Sequence, residues 1–416
     1  MTKRIYLKRG LCACIAGAFL LAMGCTQPED DVGRQTEQNG SKKTGKVVIS
    51  INSDIENFSQ CVFDFVRDDG EAATPKIMEG AASLTVNLKP GTWNIRAAGF
   101  IAGTDDAPPY VAAQGTANVI VKEHEKVNAV IQLDESELPQ DYEFSNVEAL
   151  KNYLAGLPIN IAAVPYPVKI NGVDLSSKET VGNNMRTLYS ALNDRFVTLD
   201  LSGCTGTHLV SASALPTLAN RKKIVSMILP DSITEIDSSG FSGYSAMVSV
   251  SIPKVTTLEY SAFKDCDNLQ LVYGPEVITI GTATAAANGA FSGCDALNFV
   301  YLPKAKTIGS YAFYDCDALE SVELPSAETV NNFVFKGCDK LKIVTLPLVT
   351  SIGNEAFYND TALCRVILGS TPPSLGTKPF STNMPIEGIY VPAGAVGTYQ
   401  NADNWSSFKS KVKAIE

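Results

Sequence analysis

Ala312-Phe313-Tyr314-Asp315-Cys316-Asp317-Ala318-Leu319-Glu320-Ser321-Val322-Glu323-Leu324-Pro325 is one copy of a phrase written five times between Val248 and Leu363. Its phenylalanines are Phe263, Phe291, Phe313, Phe335 and Phe357, spaced by 28, 22, 22 and 22 residues, and Phe241 stands 22 before the first. Cys266, Cys294, Cys316 and Cys338 keep the same beat, as do Leu269, Leu297, Leu319, Leu341 and Leu363. A fixed period of this length marks a solenoid. Each unit is too short to bury its own apolar face and has to stack on its neighbours.

The phrase resembles the leucine-rich repeat in its BspA-type bacterial form. Leu-x-x-Val-x-Leu-Pro matches the strand and Ile-Gly-x-x-Ala-Phe-x-x-Cys the return. The resemblance covers 224–380 well and 196–223 weakly. The unit from Phe263 to Phe291 departs from it by six extra residues around Thr282 to Ala287. Gly274 and Gly369 stand where other repeats have Leu and Pro. BspA-like proteins include adhesins for host extracellular proteins, so the resemblance implies a binding surface without bond chemistry.

The chain has 416 residues, enough for more than one domain, and the repeats fill only its second half. Apolar content of 45% and charged content of 19% describe an ordinary folded protein. A formal charge of −10 and the lack of a basic face argue against a nucleic-acid partner.

Residues 1–24 read as a targeting segment and stay outside the fold argument. Lys3, Arg4, Lys8 and Arg9 form a basic start, and Leu11 to Met23 form an apolar core. Leu21-Ala22-Met23-Gly24-Cys25 resembles a bacterial lipobox, with Ala22 at the usual leucine. The resemblance implies lipidation at Cys25 and an N-terminal lipid anchor in the outer membrane. A plain secretory signal cut nearby is the alternative. Residues 25–44 carry almost no apolar side chains and read as a disordered acidic tether. Pro28 to Asp31 either resemble the signal that sends Bacteroidetes lipoproteins to the outer cell face or form a solvated charge run. No other stretch reaches the roughly 18 apolar residues of a membrane helix.

From residue 45 to 135 the apolar residues alternate with period two. Lys46 to Ile51, Cys61 to Val66, Ser83 to Leu88, Thr92 to Phe100, Thr116 to Val121 and Lys126 to Leu133 are strand-like, with turn signals between them. This predicts a β-sandwich, and Leu88 to Trp93 resembles a hairpin of Ig-like or prealbumin-like bacterial modules. Trp93 reads as a core residue, with glycan stacking as the other reading. Residues 142–223 read as an N-terminal cap with a degenerate first repeat. Its helix starts at the capping-box spacing Ser145 to Glu148, a strand runs from Val168 to Leu175, and a second helix from Asn184 to Leu192. The repeats occupy 224–380. Residues 381–416 read as a C-terminal cap, with a strand at Gly388 to Val391, a helix at Ala395 to Asn401 and Trp405 in its core. The fold class is therefore mainly β, a sandwich followed by a capped leucine-rich repeat solenoid.

None of the ten cysteines lies in a C-x-x-C pair or near a histidine, which leaves no zinc spacing. One cysteine per repeat at fixed phase predicts a buried column of free thiols, because in-phase side chains run parallel and do not reach disulfide geometry. Two histidines, His124 and His208, leave few routes to a Ser-His-Asp arrangement. No phosphate loop or G-x-S-x-G is present. No enzyme, no metal and no cofactor is expected.

In each strand the residues just before the inward Val and Leu face out. The outward pairs are Ser226 and Ile228, Ser249 and Ser251, Leu271 and Tyr273, Phe299 and Tyr301, Ser321 and Glu323, Ile343 and Thr345, and Arg365 and Ile367. Leu271, Tyr273, Phe299 and Tyr301, joined by Ile343, predict an apolar patch for a protein or glycan ligand on a host or neighbouring cell. Burial of the patch under another part of the chain is the alternative. Two functions follow: an adhesin-like surface lipoprotein, or a glycan-binding lipoprotein of a polysaccharide uptake system. Asp231-Ser232-Ile233 and Asp360-Thr361-Ala362 match a short O-glycosylation pattern.

Overall fold

The structure, a computed structural model, describes residues 44–53, 60–78, 83–101, 110–135, 143–176, 185–209, 220–281, 288–380 and 387–415. The targeting segment, Cys25, the tether and the six extra residues at 282–287 lie outside the described residues. The chain divides into two compact units.

The first unit holds seven strands: β1 Gly45–Ser53, β2 Gln60–Arg67, β3 Ala72–Met78, β4 Ser83–Leu88, β5 Gly91–Ile101, β6 Tyr110–Val121 and β7 Lys126–Glu135. They lie in the order β3-β2-β5-β6-β7-β1-β4. The pairings are antiparallel except for β1 beside β7. The period-two alternation sends Val47, Ile49, Phe63, Phe65, Trp93, Ile95, Val119 and Ile131 into one core. Trp93 is a core residue, its indole N–H donating to the Lys89 carbonyl at 2.8 Å. β3 lies outside the strand-like stretches of the sequence and contains Pro75, a residue that interrupts a strand pattern. It is an edge strand, and its register against β2 shifts between Phe63 and Phe65, where an edge tolerates a proline.

β2 is buried on both faces. Behind the core face, Asp64 pairs with Arg96 and accepts the Ile159 N–H at 2.6 Å. Arg195 donates to the Leu157 carbonyl at 2.6 Å, and Asn160 bridges Val164 and Phe196. A buried ion pair survives when hydrogen bonds complete its shell, and Asp64 meets that condition.

In the 142–223 block the helix runs Val147–Gly156, and Asn146 rather than Ser145 caps it, its Oδ1 accepting the Ala149 N–H at 2.9 Å. A strand at Tyr166–Asp174, a helix at Met185–Ala191 and a strand at Val197–Thr205 follow.

Each repeat contributes two short parallel strands. Ser249–Ser251, Leu271–Tyr273 and Phe299–Tyr301 belong to one sheet, while Ser321–Glu323, Ile343–Leu346 and Arg365–Leu368 belong to another that ends with Gly388–Val391 and Val412–Ala414. Two-residue strands such as Thr279–Ile280 and Thr307–Ile308 form an eight-stranded ladder of their own.

Between them run two columns. Phe241, Phe263, Phe291, Phe313, Phe335, Phe357 and Phe380 stack with centroids 5.0 to 5.3 Å apart and planes within 15°. Tyr244 closes the first end edge-on and Phe408 the last. Beneath the rings each phenylalanine N–H donates to the next repeat, as Phe291 does to Ala312 at 2.8 Å. The described cysteines are free, and in four repeats the thiol donates to a phenylalanine carbonyl of the preceding repeat: Cys266 to Phe241, Cys294 to Phe263, Cys316 to Phe291 and Cys338 to Phe313, at 3.0 to 3.2 Å.

The backbone turns through the left-handed region before every column phenylalanine but Phe291, and after each of those from Phe241 to Phe357. Two residues before it, Ser239, Ser261, Tyr311, Phe333, Glu355 and Lys378 have positive φ. Two residues after it stand Gly243, Asp265, Gly293, Asp315, Gly337 and Asn359, the residue types that accept this conformation most readily.

In the last repeat Asp360 takes the place of the cysteine. It is fully buried, accepts the Cys338 N–H at 2.9 Å, and leaves Oδ2 without a partner. Burial pushes its carboxyl well above the ordinary 3.8 against the pull of the Cys338 and Gly337 amides. A raised folded-state pKa means stability that is complete below the unfolded value and declines as pH rises above it. Asp360→Cys therefore restores the column. It is expected to raise stability at pH 7 by about 1–3 kcal/mol, the cost of an unsatisfied buried polar group, with a smaller gain at pH 5. Urea denaturation at both pH values checks this; equal or lower stability at pH 7 contradicts it.

Candidate functional site

The outward face of the repeat sheets is built by strand alternation. Val250, Val272, Val322, Val344 and Val366 are buried, so their neighbours along each strand point away from the core. The face is uneven. Ser226, Ser249 and Ser251, expected to face out, are buried. Ser249 and Ser251 lie in register beside Leu271 and Tyr273. Leu271 and Tyr273 are half-buried. The exposed apolar residues are Phe299 at 52%, Tyr301 at 43% and Ile343 at 38%.

Tyr273 and Tyr301 are register partners, and their rings stack 5.3 Å apart with planes 6° from parallel. Burial, Tyr301 and Glu276 together raise the Tyr273 hydroxyl pKa. Phe299 makes no ring contact among the described residues and offers its side chain to solvent.

The break in this face has no signal in the repeat pattern. Phe299–Tyr301 is the last strand of one sheet and Ser321–Glu323 the first of the next, with no ladder between them. Gly274 N–H reaches the Tyr301 carbonyl at 3.0 Å and Leu324 N–H the Thr345 carbonyl at 3.1 Å, but the equivalent bond from Leu302 to Glu323 is missing. Val300 at the seam is 9% exposed, whereas Val272 is 0% and Val322 2%. The phenylalanine stack and the Thr307–Thr329 pairing continue across the same boundary. The opening is confined to one face.

Nearby lysines are engaged. Lys304 pairs with Glu276, Lys306 with Glu328 and Lys342 with Glu320, each one repeat away. Exposed pairs of this kind contribute little to stability. Glu323 is exposed and has no ion pair among the described residues.

A second aromatic cluster lies on the return side of the repeats. Tyr311 stacks on Phe333 at 4.7 Å, and Lys336 lies 5.2 Å from the Phe333 centroid and 5.0 Å from that of Tyr358. Lys336 also pairs with Glu355 at 2.8 Å. Its sequence signal is an aromatic residue two before the column phenylalanine in two successive repeats, Tyr311 and Phe333.

The thiols are unsuited to nucleophilic work. Burial pushes Cys61 up to about 12 and Cys204 up to about 11. Among the described residues no group of three or more His, Cys, Asp or Glu side chains is placed to hold a metal ion. No described helix is long and apolar enough to cross a membrane.

The family described as BspA type leucine rich repeat region matches the chain at residues 216–302 and 284–404, in six copies. The repeats are BspA type leucine rich repeats. Solved structures similar to the chain include a leucine rich repeat protein of T. pallidum, 24% identical with a TM-score of 0.34, covering 40% of this chain and 78% of that one. A leucine rich cell surface protein of Faecalibacterium prausnitzii is 19% identical with a TM-score of 0.20, covering 46% and 79%. A leucine-rich repeat protein of Bacteroides ovatus is 16% identical with a TM-score of 0.24, covering 61% and 84%. No curated protein matches the chain.

On this BspA type face the tyrosine pair is a measurable unit. A double-mutant cycle with Tyr273→Ala and Tyr301→Ala, read by chemical denaturation, is expected to give a coupling of about 0.5–1.5 kcal/mol. Additive losses contradict the stack.

Proposed function

We propose that this chain is a cell-surface lipoprotein that binds another protein through its repeat sheet and does no covalent chemistry. The observation that carries the reading is the exposure of Phe299, Tyr301 and Ile343 on one outward face, flanked by half-buried Leu271 and Tyr273. Exposed apolar clusters with aromatic members and a polar rim are the usual make-up of interaction sites. In this reading Cys25 carries the lipid anchor in the outer membrane, and residues 25–44 are the tether. Residues 45–135 are an Ig-like or prealbumin-like sandwich that spaces the repeats from the membrane. Residues 142–223 and 381–416 close the two ends of the solenoid.

The make-up of the face favours a protein ligand over a glycan. A sugar needs hydrogen-bonding partners for its hydroxyls beside the ring it stacks on, and Leu271, Phe299 and Ile343 around the Tyr273–Tyr301 pair supply none. Phe299 is a side chain that fills a pocket of a protein partner, the kind of anchor on which interface energy concentrates.

Two measurements test this. Protease added to intact cells is expected to remove the repeats; protection until lysis defeats the surface assignment. Full-length protein on beads is expected to retain a partner that is lost at least tenfold when Phe299→Ser and Tyr301→Ala are combined, while the variant still unfolds cooperatively. Retention indifferent to that variant defeats the sheet as the binding surface. Glycan-array signals that vanish with Tyr301→Ala establish the polysaccharide-uptake alternative instead.

A further inference from the structure

We infer that the seam beside Tyr301 is a slot for an arginine side chain carried on an extended segment of the partner protein. The inference rests on the protein-binding reading above and specifies what that partner presents.

The slot has two walls. One face of the Tyr301 ring lies on Tyr273, so the opposite face is turned along the solenoid toward the next repeat. The residue at the same phase of that repeat is Glu323, an exposed carboxylate without an ion pair among the described residues. An aromatic face opposite a carboxylate is the pairing that a guanidinium satisfies, stacking on the ring while its N–H groups meet the oxygens.

Room for the group comes from the broken ladder. Between hydrogen-bonded strands, in-phase side chains stand about 4.8 Å apart, which closes the gap between them. A planar group between a ring and a carboxylate needs about 3.5 Å on each side. Only at the boundary between Phe299–Tyr301 and Ser321–Glu323 does the outward sheet give up its pairing, and there Val300 gains its exposure.

The chain fills comparable sites with its own cations elsewhere. Lys336 lies over Phe333 and Tyr358 while paired with Glu355. Arg67 lies 5.8 Å from the Trp93 centroid while paired with Asp69 and Glu71. At the seam the aromatic face and the carboxylate are present, and the adjacent lysines Lys304 and Lys342 are held by Glu276 and Glu320. This charge complementarity names the occupant. Phe299, exposed on the same strand, supplies apolar contact for the residue two places along the extended segment.

The experiment uses a random heptapeptide library displayed on phage and selected on the full chain. Enriched peptides are then synthesised and titrated into the parent, E323Q, Tyr301→Ala and Phe299→Ser proteins. We expect enriched sequences to carry arginine next to apolar residues, and to bind E323Q and Tyr301→Ala at least tenfold more weakly. Replacing that arginine by citrulline, which keeps the shape and removes the charge, is expected to cost a similar factor. Peptides without arginine, or bound equally by E323Q, overturn the slot, and if they still weaken tenfold on Phe299→Ser the protein-binding face stands. A selection that enriches nothing, or peptides indifferent to every variant, overturns both. Unfolding midpoints of the three variants, each altered at an exposed position, exclude misfolding as the cause.

Discussion

One phenylalanine per repeat, stacked on the next and hydrogen-bonded beneath its ring, is the constraint on which the second unit depends. A repeat of 22 residues has too little interior to fold alone, so its stability comes from the interfaces above and below. Here the interface concentrates in a column where ring stacking, the amide ladder and the thiol-to-carbonyl bonds share one spacing. Strand separation near 4.8 Å and ring separations of 5.0 to 5.3 Å agree closely enough that the stack runs unbroken through seven phenylalanines, with the thiol bonds beside it in four of the repeats. The ends need a different contact, because a stack has a free face at each end. Tyr244 and Phe408 turn edge-on there, the arrangement in which an aromatic ring meets a stack without extending it.

That rigidity is what lets the outward face vary. With the column continuous across the boundary after Phe299–Tyr301, one sheet can lose its hydrogen bonds without separating the repeats. Binding surfaces on repeat proteins gain from this division of labour. Side chains that hold the fold and side chains that meet a partner lie on opposite sides of one short strand, and either set changes without disturbing the other.

Much of this was legible because periodicity transmits directly to packing. The phases of Phe313, Cys316 and Leu319 fix the core, and the residues flanking Val322 fix the outward face. Trp93 and Trp405 were readable as core residues from their surroundings and are buried. Other features were hidden for identifiable reasons. Pro75 disguised an edge strand, since the argument against proline applies to central strands. Asn146 and Ser145 are both good helix caps, and sequence does not decide which one aims at the Ala149 amide. Burial of Ser249 and Ser251 does not follow from strand alternation, which places both on the outward face. The seam beside Tyr301 is a break in strand pairing that no residue type announces.

The left-handed position after each column phenylalanine alternates between glycine and a side chain that can hydrogen-bond: Gly243, Asp265, Gly293, Asp315, Gly337, Asn359. The reason is spatial. A Cβ on Gly293 would meet Asp265 Oδ1 at 2.8 Å, and one on Gly337 would meet Asp315 Oδ1 at 2.2 Å. Each aspartate leans into the room its successor leaves empty. The true structural repeat is therefore a pair of phrases, one that reaches and one that receives. Losing a single glycine-bearing phrase, such as that of Gly293, would set reacher against reacher, two carboxylates in the room for one, whereas losing a pair would leave every neighbour with its complement. Such a solenoid lengthens and shortens most easily by twos.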